Sequence, residues 1–357
     1  MRTRLTDLLG IATPIIQAPM AGSVGVDLAV AVCDAGGLGS LPAAMLSPDQ
    51  LRGEVDALRR RAAGPYNVNF FCHEPPEADT ARFAAWSTRL AKYRSELGIA
   101  AETPAPSSAG RASFDSELCE IIEELRPPVV SFHFGLPDDS LVTKVRATGA
   151  TVLSTATSVT EARWLEDHGC DAVIAQGAEA GGHRGMFLAT DPSMQIGTIA
   201  LVPQVVDAVG VPVIAAGGIA DARGILAALA LGASAVQIGT AFLRCPEAST
   251  TEVHRRALAD SADDATVITN VLTGRPARTI ANRFVREVGP LSDDAPPFPL
   301  AAAAAAPLRA AAEATGSDDF SPLWSGQSAL LARDLPAGEL VRLLTAELDE
   351  LARTMSR

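Results

Sequence analysis

The segment Gln176-Gly177-Ala178-Glu179-Ala180-Gly181-Gly182-His183-Arg184-Gly185 sets one imidazole, His183, among glycines at 177, 181, 182 and 185. A stretch with so few side chains cannot build a packed core. It lets backbone lie against a flat ligand and holds the imidazole beside it. With an ordinary pKa of about 6.5, a histidine accepts a proton from a carbon acid when neutral and donates one when protonated. No H-x-x-x-H pattern accompanies His183, so no metal is expected. The other histidines read as ordinary residues, except that His133, at the end of VVSFHFG, is placed either to contact substrate or to sit satisfied in the core.

Two glycine corners suggest an anion. Gly217-Gly218 closes VPVIAAGG, with Asp221 at the start of the next helix, and Gly239-Thr240 closes ASAVQIGT after Gln237 and Ile238. Bare backbone N–H groups at strand ends and helix N-termini attract phosphate. The alternative is that these glycines merely turn tight corners. Asn69 in YNVNFF, Gln176 and Gln237 bring amides to the ends of otherwise apolar strands, where a buried amide needs a partner. Three such amides suit a ring with alternating donors and acceptors, although Asn69 could instead cap its own loop. The small residues and proline of Gln17-Ala18-Pro19-Met20-Ala21-Gly22 make a rigid loop on which a flavin ring could rest. No G-x-G-x-x-G follows the first strand, so a mononucleotide fits better than a dinucleotide. A G-x-S-x-G elbow and a P-loop are absent too.

These residues need strands to position them. Eight short β-branched or apolar runs alternate with helical segments: 14–18, 37–41, 66–70, 128–132, 151–155, 172–176, 212–216 and 235–239. The spacing predicts a parallel sheet closed as an α/β (β/α)8 TIM barrel. In that architecture catalytic groups sit at strand C-termini and a phosphate commonly binds after the seventh and eighth strands. The expected organisation is a barrel over 1–275, interrupted by an insertion at 71–126 with a Pro/Ser/Ala-rich piece at 101–112. A smaller C-terminal helical subdomain follows over 276–357, ending in an amphipathic helix, Ala337 to Met355, expected to cover the active site.

Composition narrows the function classes. Of 357 residues, 48% are hydrophobic and only 4% aromatic, which provides a large aliphatic core. The formal charge of −13 disfavours nucleic acid and anionic membranes as partners. The five cysteines are scattered with no C-x-x-C pair, as expected of reduced thiols in a cytoplasmic protein. No signal peptide or spanning helix is expected. Whether the chain forms a homodimer is left open.

The motifs PIIQAPMAG, AGGLGS, NVNFF, VSFHFG, GAEAGGHRG, VPVIAAGGIAD and GASAVQIGTAFL resemble the nitronate monooxygenase family, formerly called 2-nitropropane dioxygenases. The likeness runs from about Leu5 to Phe284, and LWSGQ at 323–327 resembles a further motif of that family. It implies FMN at the barrel mouth, contacted by Pro19, Met20, Ala21 and Gly22, by Asn69 and Gln176, and by Gly181 and Gly182. Gly217, Gly218, Gln237, Ile238, Gly239 and Thr240 would complete the contacts. His183 would be the active-site histidine, with His133, Met20 and Phe71 against the substrate. The implied reaction oxidises an alkyl nitronate, or a nitroalkane ionised in place by His183, with O2 to a carbonyl compound and nitrite. No nicotinamide or metal is implied. One branch of the family has a tyrosine-rich site, whereas this chain has only Tyr66 and Tyr93, which predicts an aliphatic substrate pocket. An NAD(P)H-dependent flavin enoyl-thioester reductase, or an NAD(P)H:quinone reductase, would share the same scaffold.

Overall fold

The computed structural model describes residues 1–76, 79–99 and 111–355; most of the Pro/Ser/Ala-rich piece lies outside them. The apolar runs form strands because each is buried on both faces. Eight of them, β1 (Ile15–Gln17), β2 (Gly39–Pro42), β3 (Tyr66–Phe71), β4 (Val129–His133), β5 (Thr151–Ala156), β6 (Ala172–Gln176), β8 (Val213–Ala216) and β9 (Ala235–Ile238), pair in parallel. Their order is β1-β9-β8-β6-β5-β4-β3-β2. The ring closes where Leu38 N donates to Ile15 O at 3.0 Å and Gln17 N to Leu38 O at 2.9 Å. The chain is therefore a (β/α)8 barrel, and every predicted run falls on a barrel strand within two residues at either end.

Period-two alternation divides each strand between two environments. Ile15, Val68, Val130, Val152, Val173, Val213 and Val236 face outward into the helix layer. Ile16, Leu38, Val129, Leu153, Ile174 and Ile214 face inward and, with Leu5 and Leu9 of the N-terminal helix Arg4–Leu9, plug the bottom of the barrel. Two residues further along, the inward positions become Asn69, Ser131, Thr155, Gln176 and Gln237. The same periodicity that fills the floor with aliphatic groups thus lines the mouth with polar ones.

The chain end departs from expectation. The helix Ala337–Met355 buries Ala337, Leu340, Val341, Leu344 and Leu348 at helical spacing. It packs against Val26–Asp34 and Ala222–Ala230, the helices that follow β1 and β8, and so completes the ring as the barrel's eighth helix. It does not lie over the mouth. A second hydrophobic core joins Phe83, Trp86 and Tyr93 of the insertion to Val271, Phe284, Leu308 and Phe320. Insertion and C-terminal segment thus form one lobe around a shared core. A three-stranded antiparallel ribbon, β10 (Thr266–Thr269), β11 (Ala277–Ile280) and β7 (Gly182–His183), ties this lobe to the glycine-rich loop.

Gly39 marks the tightest helix–strand approach: a Cβ there would stand 2.1 Å from Ala29 O, in the helix Val26–Asp34. Gly39→Ala should destabilise the barrel by about 3 kcal/mol, since backbone must move to admit the methyl. Guanidinium unfolding of parent and variant measures the difference.

Candidate active site

A cavity of about 1270 Å3, measured out to its open mouth, lies at the C-terminal ends of the strands. Pro19, Met20, Ala21, Asn69, Phe71, His133, Gln176, Gly181, Gly182, His183, Gly217, Gly218, Gln237, Gly239 and Thr240 all line it. The fold therefore brings nearly every predicted site residue to one place. Two are not on the wall. Ile238 is buried in the helix-facing core, as the neighbour of inward Gln237 must be. Gly22 makes the turn after Ala21 at φ 78°.

The glycine-rich loop is rigidly held. Arg184 is fully buried; its guanidinium donates to Gln176 O at 3.0 Å, Ala180 O at 3.4 Å and Gln195 Oε1 at 2.9 Å. Burial lowers its pKa to about 9, still charged at neutral pH. Arg278 Nε donates to Ala178 O at 2.9 Å. Glu179 turns away from the cavity and accepts from Thr198 N and Oγ1 at 2.8 and 2.7 Å, capping the helix Thr198–Ala208. Gln176 is also engaged with the loop: Nε2 donates to His183 O at 3.1 Å and Oε1 accepts from Gly185 N at 2.8 Å. Its amide thus shapes the loop.

LWSGQ presses on the same loop. A Cβ on Gly181 would stand 2.5 Å from Gly326 N, so this glycine is required by the segment packed over it. Gln327 N donates to Glu179 O at 3.0 Å, and Gly326 N to Thr240 Oγ1 at 2.9 Å. Trp324, Gly326 and Ser328, rather than the closing helix, are the C-terminal contribution to the cavity.

His183 shares a hydrogen bond with Thr273 Oγ1 at 2.9 Å through Nε2. Trp324 and Phe298 lie 5.2 Å from its ring centroid, and Phe71 6.3 Å. Burial, followed by the positive charge of Arg111, drives its pKa well below the ordinary histidine value, so the resting imidazole is neutral. His133 lies beneath it. Since a carbonyl only accepts, His133 Nε2 donates to His183 O at 3.2 Å, and Nδ1 accepts from Thr155 Oγ1 at 3.1 Å. Burial lowers its pKa to about 3. His133 thus lines the cavity while supporting the glycine-rich loop.

Asn69 Nδ2 donates to Ser131 O and Oγ at 3.2 and 2.9 Å, which fixes the amide's orientation. Among the described residues, the Gln237 amide has no hydrogen-bond partner, nor do the backbone N–H groups of Gly218 and Thr240. Gly217 and Gly218 sit at φ 112° and 70°, where a side chain would be strained. A Cβ on Gly239, in contrast, would make only ordinary contact with Met20 Sδ and Ala18 Cβ, at 3.5 and 3.6 Å. Asp221 caps the helix Ala222–Ala230 itself, accepting from Arg223 N and Gly224 N at 3.0 and 3.2 Å, so that helix end is not the open anion site.

Sequence reasoning missed two cations and a histidine. Arg111 lines the cavity, 5.9 Å over the Phe298 ring, with no hydrogen-bond or ion-pair partner among the described residues. Arg275 lies 3.9 Å over Phe134 and donates to Met186 O. His73 is buried beside Phe298 with Nδ1 unpaired. No motif surrounds any of them; folding alone brings Arg111 to the cavity wall and the other two within electrostatic reach of His183. Among the described residues no cluster of His, Cys, Asp or Glu could hold a metal, and no helix is long and apolar enough to cross a membrane.

Fold and site define a (β/α)8-barrel enzyme with a cofactor-sized cavity at its mouth. The family model described as nitronate monooxygenase matches residues 2–347. A nitronate monooxygenase from Pseudomonas aeruginosa is 46% identical over 98% of this chain and 99% of that protein. Among solved structures, nitroalkane oxidase from Streptomyces ansochromogenes is 42% identical with a TM-score of 0.90, covering 99% of each chain. FabK from Thermotoga maritima is 31% identical with a TM-score of 0.76, covering 100% of this chain and 99% of that one. The chain belongs to the nitronate monooxygenase family, a family of flavoenzymes.

The buried histidines predict an acid limb in stability. Burial holds His73 and His254 near pKa about 4 and His133 near about 3, with His183 also lowered. Above the unfolded value of 6.5, both folded and unfolded chains are neutral at these sites. As pH falls below it, only the unfolded chain takes up protons, so stability declines until the folded pKa values are reached. Each histidine contributes a slope of up to about 1.4 kcal/mol per pH unit. Denaturant unfolding between pH 7 and 4 should therefore show a steep loss beginning near pH 6.5, above the carboxylate range.

Proposed function

We propose that the chain is an FMN-dependent nitronate monooxygenase that takes the nitronate already ionised and, with O2, forms a carbonyl compound and nitrite. The carrying observation is a neutral, half-buried His183 on the same cavity wall as Arg111, whose guanidinium has no hydrogen-bond or ion-pair partner among the described residues: such a pocket favours an anion and offers only a weak base.

The cavity suits FMN. The backbone amides of Gly218 and Thr240, without partners among the described residues, would hold the phosphate, with Gly239, next to Thr240, presenting no side chain. The Pro19–Ala21 loop would support the ring, while the free Gln237 amide and Asn69 would bond its polar edge. Gly181, Gly182 and Gly217 keep side chains out of the ring's path, and Gln176 holds the loop in place. The chemistry FMN supplies when bound is acceptance of an electron from the nitronate and reduction of O2.

The residues of the chain do the rest. Arg111 attracts the anionic nitro group, and Phe71, Met20 and Trp324 exclude water around it. His183, fixed by Thr273, presents a neutral imidazole that donates one hydrogen bond to charge on the substrate; proton abstraction is unnecessary for a nitronate. His133 keeps the His183 backbone in register.

The purified protein should be yellow, release FMN on denaturation and form nitrite from ethyl nitronate without NAD(P)H. His183→Asn should retain the flavin yet lose about a hundredfold in kcat/KM. Oxygen uptake and nitrite assays check both. Rapid NAD(P)H oxidation with an enoyl thioester or quinone, and no nitrite, would overturn the proposal in favour of a reductase.

A further inference from the structure

A second, solvent-open chamber, about 950 Å3 measured out to its opening, adjoins the first and shares Met45 and Arg111 with it. Thr273, the hydrogen-bond partner of His183, is on its wall, so one residue separates the chamber from the active-site imidazole. Its long side is one face of the helix Leu300–Ala314, where Pro299, Ala302, Ala303, Ala306 and Arg309 recur at helical spacing. The opposite face of this helix buries Ala301, Ala304, Leu308 and Ala312.

The chamber exists because that face carries methyl groups where larger side chains would fill it. Leu272, Phe320 and Pro322 make the remaining wall apolar. Arg309, near the end of the alanine stripe, is already neutralised by Glu313 at 2.7 Å. Arg111, at the junction, has no such partner among the described residues. A ligand spanning both spaces therefore meets a positive charge at the junction and hydrocarbon beyond it.

On the nitronate reading above, we infer that this chamber binds the organic substituent of the substrate, an apolar chain of several carbons, while Arg111 at its entrance holds the anionic nitro group. Each methylene entering an apolar site improves binding about fourfold until the chamber is full. The enzyme is thus selective for long-chain over short-chain nitronates.

The test measures kcat/KM of the flavin-loaded enzyme with the nitronates of nitroethane, 1-nitrobutane and 1-nitrooctane. Values should rise along the series. Ala303→Phe should reduce the octane-to-ethane ratio at least tenfold, with Ala303→Leu intermediate; the smaller variant keeps the test open should the larger one fail to fold. Arg111→Met should lower kcat/KM for all three substrates by a similar factor, tenfold or more, and leave their ratio intact. A flat chain-length series, or an unchanged ratio in both Ala303 variants, overturns the inference while the nitronate reading stands; an indifferent Arg111→Met overturns the anion-holding role of Arg111 on which both rest. Failure of the parent to turn over any of the three defeats that reading itself.

Discussion

The glycine-rich loop depends on one buried cation. Residues 176–185 contain too little side chain to hold a shape by packing, so the shape is imposed by Arg184, whose guanidinium bonds two carbonyls of the loop and the amide of Gln195. A buried charge is tolerated only with its donors satisfied, and each acceptor loses a partner if the loop moves. Arg278, Gln176 and Glu179 extend the same scheme. The position of His183 is thereby set by electrostatics and backbone hydrogen bonding, while the glycines remain available to a flat ligand.

Charge around the imidazole follows from the same burial. Desolvation removes the proton from His183, and Arg111 and Arg275 add to the effect. Neither arginine has an ion-pair partner among the described residues, and both act as positive charges on the imidazole of a protein whose formal charge is −13. On the function proposed above, an anionic substrate would be drawn to this point despite the acidic surface. The weak base and the positive field are therefore two results of one arrangement.

The order of the chain explains how the mouth is built. After β9 the polypeptide leaves the barrel, forms the second lobe with the insertion, lays LWSGQ across the glycine-rich loop, and returns as the eighth barrel helix. Because the departing segment is anchored at both ends by the barrel, Trp324 and Gly326 can be held against the cavity and Ala302, Ala303 and Ala306 against its side chamber.

The strands, their parallel pairing and most of the cavity wall were legible in the sequence, since period-two burial and glycine at strand ends are local signals. Ile238 shows the limit of that reading: its neighbour Gln237 faces inward, so alternation sends Ile238 outward. The partners of Gln176, the placement of Arg111, Arg275 and His73, and the return of the helix Ala337–Met355 to the barrel wall were decided only in three dimensions. These depend on contacts between residues far apart in the chain, whose energies no local spacing records: an arginine near the insertion and an alanine helix near the C-terminus become one surface only after the second lobe has closed over the barrel.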